Sequence, residues 1–308
     1  MRRALKGFNW IMSRFAIILF ILLFCISIYA ITDMSRVYAE AENVMSELYA
    51  YKPVIDKETG KADFTSLRAL NPDVVAWITL EGTAIDYPVL QGENNLTYMN
   101  RDVFGDFSLA GSIFLDTRNS SDLSDSYSLI YGHHMDDHLM FGDLDLYKDE
   151  DFFKKYRKAQ ITTDDGIIEY DIYAVMEIPD SVQEVFNPDT WKGDPSELAG
   201  FIKDNSLYVW DPAMGDPGEN PEEIKIVALV TCASGHTGTR TVVFLVSRKP
   251  GEPKPDKKPD KPTQNDTTPV ETGDPIFNSL RFWIVVMAAS IILLLLIRRL
   301  DILHRRKS

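Results

Sequence analysis

Two apolar runs without charge bracket this chain and decide what the rest of it can be. Phe15 to Ile31 follows a flank, residues 1–14, that carries Arg2, Arg3, Lys6 and Arg14 and no acid. Residues 276–297 hold the second run, uncharged from Phe282 to Ile297, and Arg298, Arg299, Arg305, Arg306 and Lys307 follow in the tail 298–308. Residues 15–31 are at the short end for a membrane span, and the basic residues sit outside both runs. The expected layout has two spans with both termini in the cytoplasm. A cleaved signal peptide is the other reading of the first run, but Tyr29-Ala30-Ile31 is a poor small-residue cleavage site, which favours a signal-anchor. Residues of about 32–275 then lie outside the membrane.

That outer part reads in three pieces. In residues 32–70, Met34, Val37, Tyr38, Ala41, Val44, Met45 and Leu48 recur at helical steps, so Asp33 to Tyr49 is expected as a helix that docks on the next domain or serves as a stalk. A polar connector and a short helix, Phe64 to Leu70, end at Asn71-Pro72, where proline disfavours helix in the residue before it. Residues 71–248 turn to β character. Strands are expected at Val74–Ile78, Ala84–Leu90, Ser112–Leu115, Ser128–Tyr131, Gln160–Thr163 and Ile167–Ile178, the last two joined by the hairpin signal Asp164-Asp165-Gly166. Pro88 suggests an edge or a bulge in the second strand. Helices are expected at Lys148–Tyr156 and at Pro195–Asn205, with Asp194 as the cap of the latter. Many short strands with few helices suggest an antiparallel barrel or sandwich. Residues 249–275, rich in Pro, Lys, Asp and Thr, have almost no apolar content and read as a disordered linker.

The net charge of −14 argues against a nucleic-acid partner, which calls for a basic face. Of two cysteines, Cys25 lies in the first apolar run, so Cys232 has no disulfide partner outside the membrane, and no Cys/His cluster has zinc spacing. Cys232 ends the apolar run Ile226–Val230 plus Thr231. A Gly/Ser/Thr loop with His236 follows, then Arg240 and a second run, Thr241–Val246. A thiol at a strand end beside an arginine suits covalent catalysis, since a cation favours the thiolate and a guanidinium can hold an oxyanion. The same pattern suits a buried structural cysteine beside a surface arginine, and these residues alone do not choose. A cysteine nucleophile needs a proton-transfer partner. Tyr131-Gly132-His133-His134-Met135 ends another strand, and strand alternation lets at most one of His133 and His134 face a site. His138 and His236 fit solvated surface residues.

Leu229-Val230-Thr231-Cys232 with Arg240 downstream resembles the cysteine motif of sortases. Tyr131-Gly132-His133-His134-Met135, followed by Met140-Phe141-Gly142-Asp143-Leu144, resembles the histidine motif of class B sortases. Asn71-Pro72-Asp73-Val74-Val75-Ala76-Trp77-Ile78, Ile85–Val89, Gln91-Gly92 and Ala110–Asp116 resemble the opening of that class, so the likeness runs from about Asn71 to Val246. It implies a mostly β fold: a closed sortase-type barrel of about eight strands with a few helices, between N- and C-terminal membrane helices. It also implies a transpeptidase in which Cys232 is the nucleophile, His133 the general acid/base and Arg240 the oxyanion stabiliser, with Thr231 and Arg240 binding substrate. The substrates would be secreted proteins or pilins bearing a sorting signal cleaved after Thr, and the acceptor a peptidoglycan precursor or a pilin lysine. No metal or organic cofactor is needed by such chemistry. No acid follows Cys232 closely, unlike some class B members, and the second span is a feature of pilus-assembling sortases.

An L,D-transpeptidase also uses Cys, His and Arg, but its arginine follows the cysteine by two residues and Ser-His-Gly precedes it, whereas Leu229-Val230-Thr231 stands here. A non-catalytic protein displayed on a membrane stalk would share the acidity, the linker and the two spans. Pro269-Val270-Glu271-Thr272-Gly273, ahead of an apolar run and a basic tail, has the partial layout of a sorting signal itself; such Thr-Gly pairs are also ordinary in a linker of this composition.

Overall fold

The computed structural model describes residues 2–179, 181–182, 184–191, 195–211, 224–232, 239–247 and 280–306. Asp194, His236, the linker 249–275 and Pro269–Gly273 lie outside them. The chain divides into two compact units, residues 1–39 with 274–308, and residues 40–273.

Helix α1, Arg2–Leu48, is one continuous helix where the sequence suggested a span and then a separate helix. The reason is local: no Gly or Pro occurs between Phe8 and Lys52, so nothing interrupts the ladder until a 3-10 turn at Tyr49–Tyr51 and then Pro53. Its last turns belong to the second unit. There Ala41, Met45 and Leu48 are buried and line a small apolar cavity with Tyr87, Val103, Ile113 and Met140, so this end docks, as one of the two expectations had it.

A two-residue hairpin that the sequence did not suggest, β1 (Val54–Ile55) with β2 (Ala62–Asp63), precedes α2 (Thr65–Leu70). The barrel strands then follow: β3 (Val74–Leu80), β4 (Asp86–Leu90), β5 (Ile113–Leu115) and β6 (Tyr127–His133). A 3-10 segment, Gly142–Lys148, leads into α3 (Glu150–Lys155), and Asp149 caps α3 by accepting from the Phe152 amide. The hairpin β7 (Lys158–Thr163) and β8 (Gly166–Pro179) turns at Asp164-Asp165 as expected, with Gly166 at φ +118°. After α4 (Pro195–Asn205) come β9 (Tyr208–Val209), β10 (Ile226–Cys232) and β11 (Thr239–Ser247).

Among the described residues the sheet runs β11-β10-β6-β5-β4-β3-β7-β8-β9, and β11 also pairs with β8. That pairing closes an eight-stranded barrel, with β9 added outside the ring. The ladders are antiparallel except β4–β5 and β6–β10, which are parallel. β10 lies between β6 and β11, and Ile226–Val230 are almost wholly buried, which is why that strand reads as a continuous apolar run rather than an alternating one. Pro88 was expected at an edge or a bulge; β4 is interior, and the β3–β4 register shifts between Val74 and Ala76, beside the Trp77–Pro88 pair. Pro88 is tolerated because pairing of β4 with β5 begins only at Val89, leaving no partner on that side for the N–H that proline lacks.

The C-terminal helix α5, Leu280–Arg306, belongs to the first unit. Within Trp10–Tyr51 and Phe282–Arg299 the helices are long and apolar enough to cross a membrane, and they leave side chains such as Phe15 and Leu295 largely exposed.

Two glycines separate close packing from open space. A Cβ at Gly142 would run into the backbone carbonyl of Met135, whereas one at Gly200, exposed within α4, would meet nothing. Gly142→Ala is expected to destabilise the barrel by about 1–3 kcal/mol and Gly200→Ala to stabilise it by up to about 1 kcal/mol, read from urea unfolding of the purified chain.

Candidate active site

Parallel pairing of β6 and β10 sets the geometry. Its register runs Val230 with Tyr131, Thr231 with Gly132 and Cys232 with His133, so the backbones of the expected nucleophile and acid/base are direct neighbours. Gly132 is required by what lies beside it, since a Cβ there would press into Ile113 and Phe141. On the other side of β10, antiparallel pairing with β11 reaches Val230 with Val242. Cys232 lies two residues beyond Val230 on β10, and Arg240 two residues before Val242 on β11, where it pairs with Ile178 of β8.

His133 is half-buried, and its Nε2 lies 2.6 Å from the Met99 carbonyl oxygen. A carbonyl only accepts, so Nε2 carries a proton and Nδ1 is the nitrogen left to exchange one. The segment bearing Met99 is tied down. The Tyr98 hydroxyl donates to Asp73, at 2.8 Å, and the Asn71 amide donates to Tyr98 and to the Val103 carbonyl. Gly111, at φ +61°, passes against the Met99 carbonyl where a Cβ would clash.

The Arg240 guanidinium carbon sits 5.0 Å from the centre of the Phe186 ring. Its Nε is buried and has no hydrogen-bond acceptor among the described residues. Phe186 is held in turn. Arg118 donates from Nη2 to the Phe186 carbonyl at 2.7 Å and from Nη1 to Asn187 at 3.0 Å. The same guanidinium grips the fully buried Asp116 through two bonds, at 2.8 and 2.7 Å. Burial opposes ionisation of Asp116, but Arg118 and Asn95 outweigh it and hold the carboxyl below its usual range. The Tyr131 hydroxyl contacts this carboxylate at 3.3 Å, which links β6 to the platform under Arg240.

A second buried carboxylate, Asp145 of the 3-10 segment, accepts from Thr241 Oγ1 (2.5 Å), His134 Nε2 (3.0 Å) and Lys148 Nζ (2.9 Å). Burial would raise its pKa, yet these contacts bring it down to about 2. Thr231 Oγ1 completes the group, accepting from the Thr241 amide at 3.0 Å.

The Sortase domain family matches residues 78–247, more than half of the chain. The chain belongs to the sortase family. Its relatives place it in class B of these cysteine transpeptidases. Sortase B of Listeria monocytogenes is 38% identical over 172 residues, covering 55% of this chain and 67% of the relative. Sortase B of Staphylococcus aureus is 35% identical over 118 residues, so the match spans only about half, 48%, of that relative. Among solved structures, a Streptococcus pyogenes class B sortase involved in pilus biogenesis aligns at 37% identity with a TM-score of 0.54, over 60% of this chain and 98% of that one. Sortase B of Bacillus anthracis, in complex with AAEK1, aligns at 27% identity with a TM-score of 0.57, over 70% and 99%.

In this sortase the other sequence candidates fall elsewhere. His134 turns to the buried Asp145, and His138 pairs with Asp143 at 2.7 Å. Thr231, expected at the substrate, is 4% exposed, and its hydroxyl contacts Thr241 of β11. Sequence reading assigned no role to Asp116 with Arg118, to the Met99 carbonyl or to Asp145. An acid two residues before an arginine could have flagged the first pair. Nothing in the sequence marks Asp145 among the neighbouring acids Asp143, Asp149 and Glu150.

The lowered pKa of Asp145 fixes a sign. A folded value of about 2, below the roughly 3.9 of an unfolded Asp, contributes stability that is complete above about pH 4 and is lost as pH falls toward 2. Asp145→Asn should therefore be less stable than the parent by on the order of 2 kcal/mol at pH 7, with the gap closing between pH 4 and 2 in urea unfolding curves. A gap independent of pH would contradict this origin.

Proposed function

We propose that this chain is a membrane-anchored class B sortase, a cysteine transpeptidase that cleaves a sorting signal after Thr and passes the acyl group to an amine. The in-register placement of Cys232 beside His133, in a chain of this family, carries the reading. The Cys232 thiolate attacks the Thr carbonyl carbon, and Arg240 holds the oxygen that becomes negative. The unpartnered buried Nε of Arg240, steadied over Phe186, is the donor that supports this role. Collapse breaks the C–N bond, His133 gives its proton to the leaving amine, and a thioester on Cys232 remains. The acceptor amine then attacks the thioester, His133 takes up its proton, and the Cys232 thiolate leaves.

The acceptor is a peptidoglycan precursor or a pilin lysine. The pilus role of the Streptococcus pyogenes relative and the second apolar helix support the pilin. Two apolar helices that expose large side chains, each with basic residues outside it, support an anchor with both termini cytoplasmic and the barrel outside.

The test is cleavage of a panel of Thr-containing sorting peptides by the full-length protein in detergent, with and without an amine acceptor. Cys232→Ala should abolish cleavage. Arg240→Lys keeps the charge but loses the planar fork, so it should remain impaired by about 10²-fold or more. Unchanged cleavage by Cys232→Ala would sink the reading, and near-normal turnover by Arg240→Lys would reduce that residue to a simple charge.

A further inference from the structure

Three side chains converge beneath the expected site, and each neighbours one of its members in sequence. Thr231 precedes Cys232, Thr241 follows Arg240, and His134 follows His133. Two of them bond to one buried group, and the third joins it through Thr241. Thr241 Oγ1 and His134 Nε2 donate to the Asp145 carboxylate, and the Thr241 amide donates to Thr231 Oγ1. We propose that Asp145 is a positioning residue for transpeptidation, locking the ends of β6, β10 and β11 so that His133, Cys232 and Arg240 keep one geometry.

The physical case rests on where these contacts fall. Successive strand residues alternate faces, so a residue next to a reacting one is fastened from the face opposite. Among the described contacts Asp145 meets His134, Thr241 and Lys148 and neither His133 nor Arg240, so it acts on those two through the backbone. The ladders hold each end on one side, with β10 paired to β6 as far as Cys232 with His133 and β11 paired to β8 as far as Thr239, and Asp145 adds a side-chain tie between them. The pairing of β10 with β11 runs from Ile226 with Val246 to Val230 with Val242, and next to it the Thr231 hydroxyl contacts both the amide and the carbonyl of Thr241. On β6, the regular strand ends at His133, and His134 forms an isolated bridge to Met140. Thr241 and His134 are bonded to Asp145, and Thr231 joins the group through Thr241. Its segment is itself fixed, because Gly142 abuts the Met135 carbonyl and Phe141 is buried beside Gly132. Lys148 adds a compensating charge at 2.9 Å, so the carboxylate is not left alone in the interior.

This inference rests on the transpeptidase reading, and the experiment separates the two. Wild type, Asp145→Ala, Thr241→Val and Thr241→Ser are compared in the full-length protein for peptide transfer, together with the fraction folded by circular dichroism. Misplacing reacting groups by a fraction of an ångström to one ångström costs about 10- to 10²-fold, chiefly in kcat. Asp145→Ala and Thr241→Val should lose that much kcat per folded molecule, with KM within about two-fold. Thr241→Ser, which restores the hydroxyl, should recover most of the rate. The double variant should be little worse than the worse single, because both cut one connection. If Asp145→Ala does not fold, the Thr241 pair carries the test alone. Full kcat per folded molecule in Thr241→Val, or a Thr241→Ser as slow as the valine variant, overturns the positioning role. A wild type that cleaves no peptide overturns the transpeptidase reading instead.

Discussion

Parallel pairing of β6 with β10 is the contact on which the rest of this structure depends. It joins two stretches far apart in sequence, and a parallel pair cannot be made by a tight turn. The chain between them must therefore cross over, and it does so with the 3-10 segment, α3, the β7–β8 hairpin, α4 and β9. Closure of the barrel by β11 against β8 fixes the same register from the other side. A slip of one residue in either ladder would part Cys232 from His133 and reverse the faces of every side chain on the strand.

Held this way, the strand ends gain further support from side chains. Two buried carboxylates provide it from different directions. Asp116, through Arg118, anchors the Phe186 platform beneath the Arg240 guanidinium. Asp145 gathers Thr241 and His134. Each carboxylate stays ionised despite burial because charged and hydroxyl donors surround it, and neither is expected to titrate near neutral pH. Removing one partner of such a group leaves an uncompensated charge, so these positions couple stability to the geometry of the site.

Much of the fold was legible because it rests on local signals. The apolar run at Ile226–Val230, the Asp164-Asp165-Gly166 turn and the proline after Asn71 each announce an element within a few residues. What was not legible depends on distant partners. The unbroken course of α1 follows from an absence of breakers, and the short β1–β2 hairpin has too few residues to carry a pattern. The motifs named Cys232, His133 and Arg240, and the β6–β10 register sets the backbones of the first two side by side. No one-dimensional pattern shows that Asp145 is buried while Asp149, four residues on, caps a helix at the surface, since burial is decided by the strands packed over each.

The central claim is that a covalent intermediate forms on Cys232. The most direct measurement is intact-mass spectrometry of the full-length protein, quenched in acid during turnover of Thr-containing sorting peptides and followed by peptide mapping. The account predicts one acyl adduct, confined to the fragment that holds Cys232 and absent from the fragment with Cys25, the only other cysteine of the chain. Peptide cleavage without an adduct, or with the adduct on any other residue, would contradict it.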